Sequence, residues 1–243
     1  MHRDLLLRPT RFASRRAMFA CLSAALAAGC SSGGFGSELA SRPVARPVGD
    51  VAGRTLRIPQ DEKFSIRQQS DQDRAELGGH AQSDAQASID GSAAASAEVR
   101  NGGTAEATFQ LGHAVANDSD RQMELTIRVG CKYELDVSNT PPTLLPDAFA
   151  GLNLYARDGR NRLLRTDVLV GQSTEQGSAG GSAQVERTFV VTLGPRDSLA
   201  VFVAGNTKID VKPERSGRAT LRISGLELEF TPKLAPPIAP AGG

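Results

Sequence analysis

MELTIRVGCKYELDV, residues 123–137, puts Met123, Leu125, Ile127, Val129, Cys131, Tyr133, Leu135 and Val137 at every second position, with Glu124, Thr126, Arg128, Lys132, Glu134 and Asp136 between them. Successive side chains of a strand point to opposite faces, whereas a helix returns to one face every 3.6 residues. The stretch is therefore a strand with one apolar and one charged face, packed on a core on one side and wet on the other. No helical period fits it.

The same period runs outward in both directions. Upstream, Ala105, Ala107, Phe109, Leu111 and Val115 share one parity, and the polar Asn117-Asp118-Ser119-Asp120 joins them to Met123 as the turn of an antiparallel hairpin. Asn101-Gly102-Gly103 marks another hairpin turn. The alanine-rich residues 85–99 suit a helix by propensity. Their spacing argues otherwise, because Ala85, Ala87, Ile89, Ala93, Ala95, Ala97 and Val99 share one parity, and we read them as a strand with a small-residue face.

Downstream, residues 152–156 and 163–170 flank Asp158-Gly159, while 185–193 and 199–204 flank Gly194-Pro195-Arg196-Asp197, which predicts two further hairpins. GQSTEQGSAGGSAQ between them, with its glycines from Gly177 to Gly181, reads as a flexible hairpin connection. Leu221 and Ile223 have one parity and Leu226, Leu228 and Phe230 the other, so the switch at Gly225 predicts a bulge or sharp bend. Many short strands with frequent turns give an all-β chain: an antiparallel β-sandwich, with the jelly roll as one form of it.

A length of 243 residues with 40% hydrophobic and 23% charged content suits one globular domain plus tails. Five of 28 basic residues and one of 27 acidic ones fall within the first 30, so the rest of the chain is mildly acidic. No cluster of Lys and Arg follows Arg16 to engage phosphates, which argues against a nucleic-acid partner.

The N-terminus has the form of a targeting segment. Arginines end at Arg15-Arg16, a short apolar stretch covers 17–28, and small residues surround Gly29-Cys30. That stretch is shorter than the roughly 20 apolar residues a membrane-spanning helix needs. Leu26-Ala27-Ala28-Gly29-Cys30 resembles a bacterial lipobox. The resemblance implies cleavage before Cys30 and diacylation of that cysteine, and Ser31 in place of aspartate implies outer-membrane delivery where a cell has two membranes. Ordinary signal-peptidase cleavage after Ala25-Leu26-Ala27 is the alternative. Ser14-Arg15-Arg16 also resembles part of a twin-arginine export signal, although plain positive charge accounts for it.

These readings divide the chain into a signal peptide at 1–29, a lipidated Cys30 with flexible linker at 30–52, a β-sandwich at 53–231 and a Pro-rich tail at 232–243. Twenty flexible residues hold a domain roughly 25 Å from the membrane. With Cys21 in the signal and Cys30 acylated, only Cys131 remains, and an internal disulfide is ruled out. Over roughly 74–230 the Ala/Ser-rich strands, ATFQLGHAVANDSDRQMELTIRV and VVTLGPRDSLAVFV resemble exported bacterial β-sandwich domains of the PEP-CTERM-sorted, choice-of-anchor kind. That resemblance implies fold and location and no defined activity.

Chemistry-bearing residues are sparse. After the signal the histidines are His80 and His113, which with Cys131 make no recognised metal spacing. His113 reads as a hydrogen-bonded structural histidine and Cys131 as a small buried hydrophobe. Asp71, Asp73, Glu76, Asp118 and Asp120 lack the glycine and spacing of a calcium loop and read as solvated turn acids. The loop at 177–181 has no lysine or following helix with which to cradle phosphate. No cofactor or metal is implied.

Two functions follow as expectations. The first is a membrane-anchored envelope lipoprotein, non-enzymatic, held to the bilayer through acylated Cys30 and offering a sandwich face or edge strand to another envelope protein or to its own kind. The alternative is a carbohydrate-binding or glycan-hydrolysing jelly roll, which would use paired carboxylates drawn from Glu106, Glu124, Glu186 and Glu227. With no Trp and only Tyr133 and Tyr155, aromatic sugar stacking is weakly served.

Overall fold

A computed structural model describes residues 43–48 and 54–236. The expected signal segment, Cys30, most of the stretch read as linker and the end of the Pro-rich tail lie outside the described residues.

The described chain is all β. Twelve strands follow in order: β1 (Arg46–Pro47), β2 (Leu56–Ile58), β3 (Ile66–Ala75), β4 (His80–Ala87), β5 (Ala93–Arg100), β6 (Gly103–Ala116), β7 (Met123–Thr140), β8 (Ala148–Asp158), β9 (Leu163–Ser173), β10 (Ala179–Leu193), β11 (Ser198–Val211) and β12 (Ser216–Leu234). The one helical element among them is a 3-10 turn at Thr174–Gln176.

One sheet has the order β6-β11-β8-β9, with β3 and the short parallel β1 both on the outer side of β6. The other has the order β10-β7-β12-β5-β4, with β2 also on β12. From β5 onward this is a jelly roll, with β6-β11-β8-β9 in one sheet and β5-β12-β7-β10 in the other. β3 and β4 each add a strand beside that frame.

The quoted stretch lies in β7 as its alternation requires. Met123, Leu125, Ile127, Val129, Cys131, Leu135 and Val137 are buried, Tyr133 is half-buried, and the charged positions between them face solvent. Inward rows from the neighbouring β12 and from β6, β8 and β11 of the facing sheet complete one core, including Phe109, Leu152, Val203, Leu228 and Phe230. At roughly 25 cal/mol for each Å² of apolar surface buried, this core is the main stabilising term.

The parity switch in β12 is a bulge. Register with β7 shifts between Ser224 and Glu227, Gly225 takes φ +59°, and the amide of Leu226 donates to the carbonyl of Gly91. The hairpin expected at Asp158-Gly159 is also present, joining β8 and β9 in one sheet.

The other expected hairpins are corrected. The turns at Asn101-Gly102-Gly103, at Asn117–Asp120 and at Gly194–Asp197, together with the connection at 174–178, each carry the chain from one sheet to the other. Their flanking strands are not neighbours. Residues 85–99, read as one strand, split into β4 and β5 about a turn in which the Asp90 carboxylate accepts the amide and hydroxyl of Ser92 at 2.9 and 2.6 Å. Ile89, counted in the small-residue face, is exposed in that turn.

Pairing also extends into the stretches read as linker and tail. β1 lies along Val115 and Ala116, Val48 is fully buried in the core, and β12 continues to Leu234.

Candidate functional site

Sheet register builds a groove across the solvent face of the β7 sheet. Gln86, Ala94, Arg222, Glu134 and Ser182 form one row across its five strands, and Ser224, Lys132 and Gln184 stand in the next row on the same face. Ser88 and Ser92 continue that second row at the β4–β5 turn. Between the rows runs the backbone of Ala87, Ala93, Ile223, Tyr133 and Ala183, and Arg67 and Gln69 of β3 close one end. The groove holds about 790 Å³.

Charge in the groove is unbalanced. Arg67, Lys132 and Arg222 face it with Glu134 as the one carboxylate of its lining. Among the described residues none of these three cations has an ion pair, whereas Arg128, Arg162, Arg165 and Arg215 are each held by a carboxylate.

The second feature is an edge. All fifteen residues of β10 pair with β7 without a register shift, and among the described residues no strand lies on its other side. Apart from Val185, Phe189 and Leu193 the strand is exposed or half-exposed, with Val190 at 55%. Only Glu186 and Arg187 are charged. A long, regular edge with so little charge is what proteins ordinarily bulge, shorten or cover.

No family model and no curated protein matches this chain. Among solved structures it is similar to the infectious bursal disease virus Gx strain at 11% identity, covering 72% of this chain and 38% of that one with a TM-score of 0.24. For the Gt strain the values are 11%, 74%, 42% and 0.23. The chain thus spans well under half the length of these viral chains.

The candidate carboxylates are only partly brought together. Glu186 and Glu227 both sit opposite Gly130, on either side of β7, which sets their Cα atoms about 10 Å apart in one row. Glu186 is gripped by Arg128 through two hydrogen bonds of 2.8 and 2.9 Å, and these hold its carboxyl below the usual range. A glycosidic general acid needs the opposite shift. Glu124 lies near the start of β7 opposite Lys233, and Glu106 stands on the other sheet, accepting from Asn206 at 3.2 Å.

Cys131 is buried in the core, and burial pushes its thiol up to about 11, so it is a poor nucleophile there. The ring of His113 is buried beside Phe230, with Nδ1 3.1 Å from the carbonyl of Lys63 and Nε2 3.7 Å from Glu62. Burial holds its pKa below the ordinary value. His80 is exposed, Asp73 accepts the amide and hydroxyl of Ser83, and among the described residues no three His, Cys, Asp or Glu gather to hold a metal. Cys30, the expected lipid attachment, lies outside the described residues.

Two polar anchors escaped the sequence reading. Asn117 is fully buried, and its amide bonds the carbonyls of Arg121, Leu193 and Gly194, tying the β6–β7 crossing to the β10–β11 crossing. At another crossing Arg215 joins Thr143 and Asp147, while Asn139 donates to Asp147 at 2.8 Å. Buried polar side chains of this kind need partners drawn from distant loops, which no local spacing announces.

Proposed function

We propose that this chain is a lipid-anchored protein of a bacterial envelope, outer-membrane in a cell with two membranes, whose jelly roll is a non-enzymatic interaction module. The lipobox-like Cys30 carries the address. The observation that carries the function is the open β10 edge, whose unpaired amides and carbonyls offer fifteen residues of regular ladder to an extended strand of another envelope protein or of a second copy. The same edge supports strand addition better than chemistry, because its one carboxylate, Glu186, is already committed to Arg128.

In the native cells, photo-crosslinking residues at Gln184, Thr188 and Val190 are expected to capture a defined membrane-associated protein or this same chain. Equivalent residues at Gln82 and Ser83 on β4 are expected to capture neither. Capture that is equal from the two edges, or absent from β10, would remove the reading, and a mature form without acyl groups on Cys30 would remove the anchor.

A further inference from the structure

We infer that the groove across the β7 sheet binds a linear anionic polysaccharide, its carboxylates meeting Arg67, Lys132 and Arg222. This goes beyond strand addition at β10 and uses a different surface: the face of the sheet rather than its edge.

Five strands spaced about 4.8 Å apart make a trough about 19 Å long, and rows two residues apart along each strand leave it about 7 Å wide. A single extended chain fits such a shape, whereas a compact ligand would leave most of it empty. The lining defines the chemistry. Gln69, Gln86 and Gln184 carry both donors and acceptors, as the hydroxyls of a sugar require.

Charge then selects among glycans. Beyond residue 30 the chain is mildly acidic, yet three cations without an ion pair gather on this one trough against the single carboxylate of Glu134. Arg222 stands directly across from Glu134, which offsets part of its charge and leaves Lys132 and Arg67 to mark the two ends of a surplus. Exposed cations without partners add attraction for an anion that weakens as salt screens it.

The test uses the full-length chain in detergent and sodium alginate, a linear polyuronate, coupled to a matrix. Retention on alginate that is released by salt, with none on neutral dextran, is the expected result. Lys132→Glu with Arg222→Glu should weaken retention at least tenfold, while Arg187→Glu, an exposed arginine outside the trough, should leave it unchanged. Should the charge-reversed pair fail to fold, Lys132→Gln with Arg222→Gln is expected to lose several-fold. Equal binding to dextran, no binding to alginate, or equal loss in Arg187→Glu would overturn the inference. A single-stranded oligonucleotide competing as well as free alginate would overturn the assignment to a polysaccharide.

Discussion

Along one side of the jelly roll β3 and β4 run beside each other, and the Asp73 carboxylate of one accepts the Ser83 amide and hydroxyl of the other at 3.3 Å. Along the opposite side the guanidinium of Arg165 on β9 lies 4.8 Å from the centre of the Phe189 ring on β10. The first side uses a carboxylate to occupy an edge amide, and its outer strand carries Arg67, Asp71, Asp73 and Arg74. The second seals its core with one ring, and among the described residues no strand covers the outer ladder of β10. β9 is interrupted by two register shifts while β10 has none. Protection is thus concentrated on three edges of four, and the fourth is the one fitted for pairing.

The sharpest test of this contrast is Phe189→Ala, which removes a side chain only 5% exposed. It should cost about 3 kcal/mol in denaturant unfolding, as buried aromatic truncations do. A cost under about 1 kcal/mol would mean that the open side is not sealed by this ring. On the closed side Gly103→Ala comes next. Gly103 has φ +138°, and an added Cβ would meet the carbonyl of Arg74 at 2.4 Å. About 2 kcal/mol is expected from that strain and the displaced β3.

Asp73→Ala should cost about 1 kcal/mol, the scale of one net hydrogen bond. It also uncovers the Ser83 amide, so light scattering should show more self-association than wild type. If association is unchanged, Asp73 does not guard that edge. Arg165→Ala should lose about 0.5–1 kcal/mol, and combining it with Phe189→Ala in a double-mutant cycle isolates the cation–ring part.

His113 belongs to neither edge and supplies the internal control. Burial lowers its pKa in the fold, so the unfolded chain takes up a proton as pH falls below about 6.5 while the native one resists. Its contribution is complete above that pH and is lost as pH drops through the folded pKa. Thermal melts between pH 7 and 5 should therefore decline more steeply in wild type than in His113→Gln, and parallel declines would assign the pH dependence to the carboxylates instead.

Strands and turns were legible because their causes are local. Alternation located β7, the parity switch located the bulge at Gly225, and Asp158-Gly159 marked a true hairpin. Partnership was not legible. Asn101-Gly102-Gly103 and Gly194–Asp197 have the same chemistry as a hairpin turn, since a turn residue sets the reversal of the chain and says nothing about which sheet receives the next strand. In a jelly roll most reversals change sheets, so hairpin reasoning fails at those turns and holds at β8–β9. The groove was hidden for a related reason: Arg67, Lys132 and Arg222 approach one another only through β3, β7 and β12, which are far apart in sequence.

The last strand, β12, lies in the middle of its sheet and pairs with β2, β5 and β7. A chain delivered N-terminus first, from a ribosome or through an export channel, therefore carries β5 and β7 with a strand-wide gap between them until residue 234 has emerged. Assembly of that sheet waits for the end of delivery, and a chain cut short before β12 has nothing to join β5 to β7.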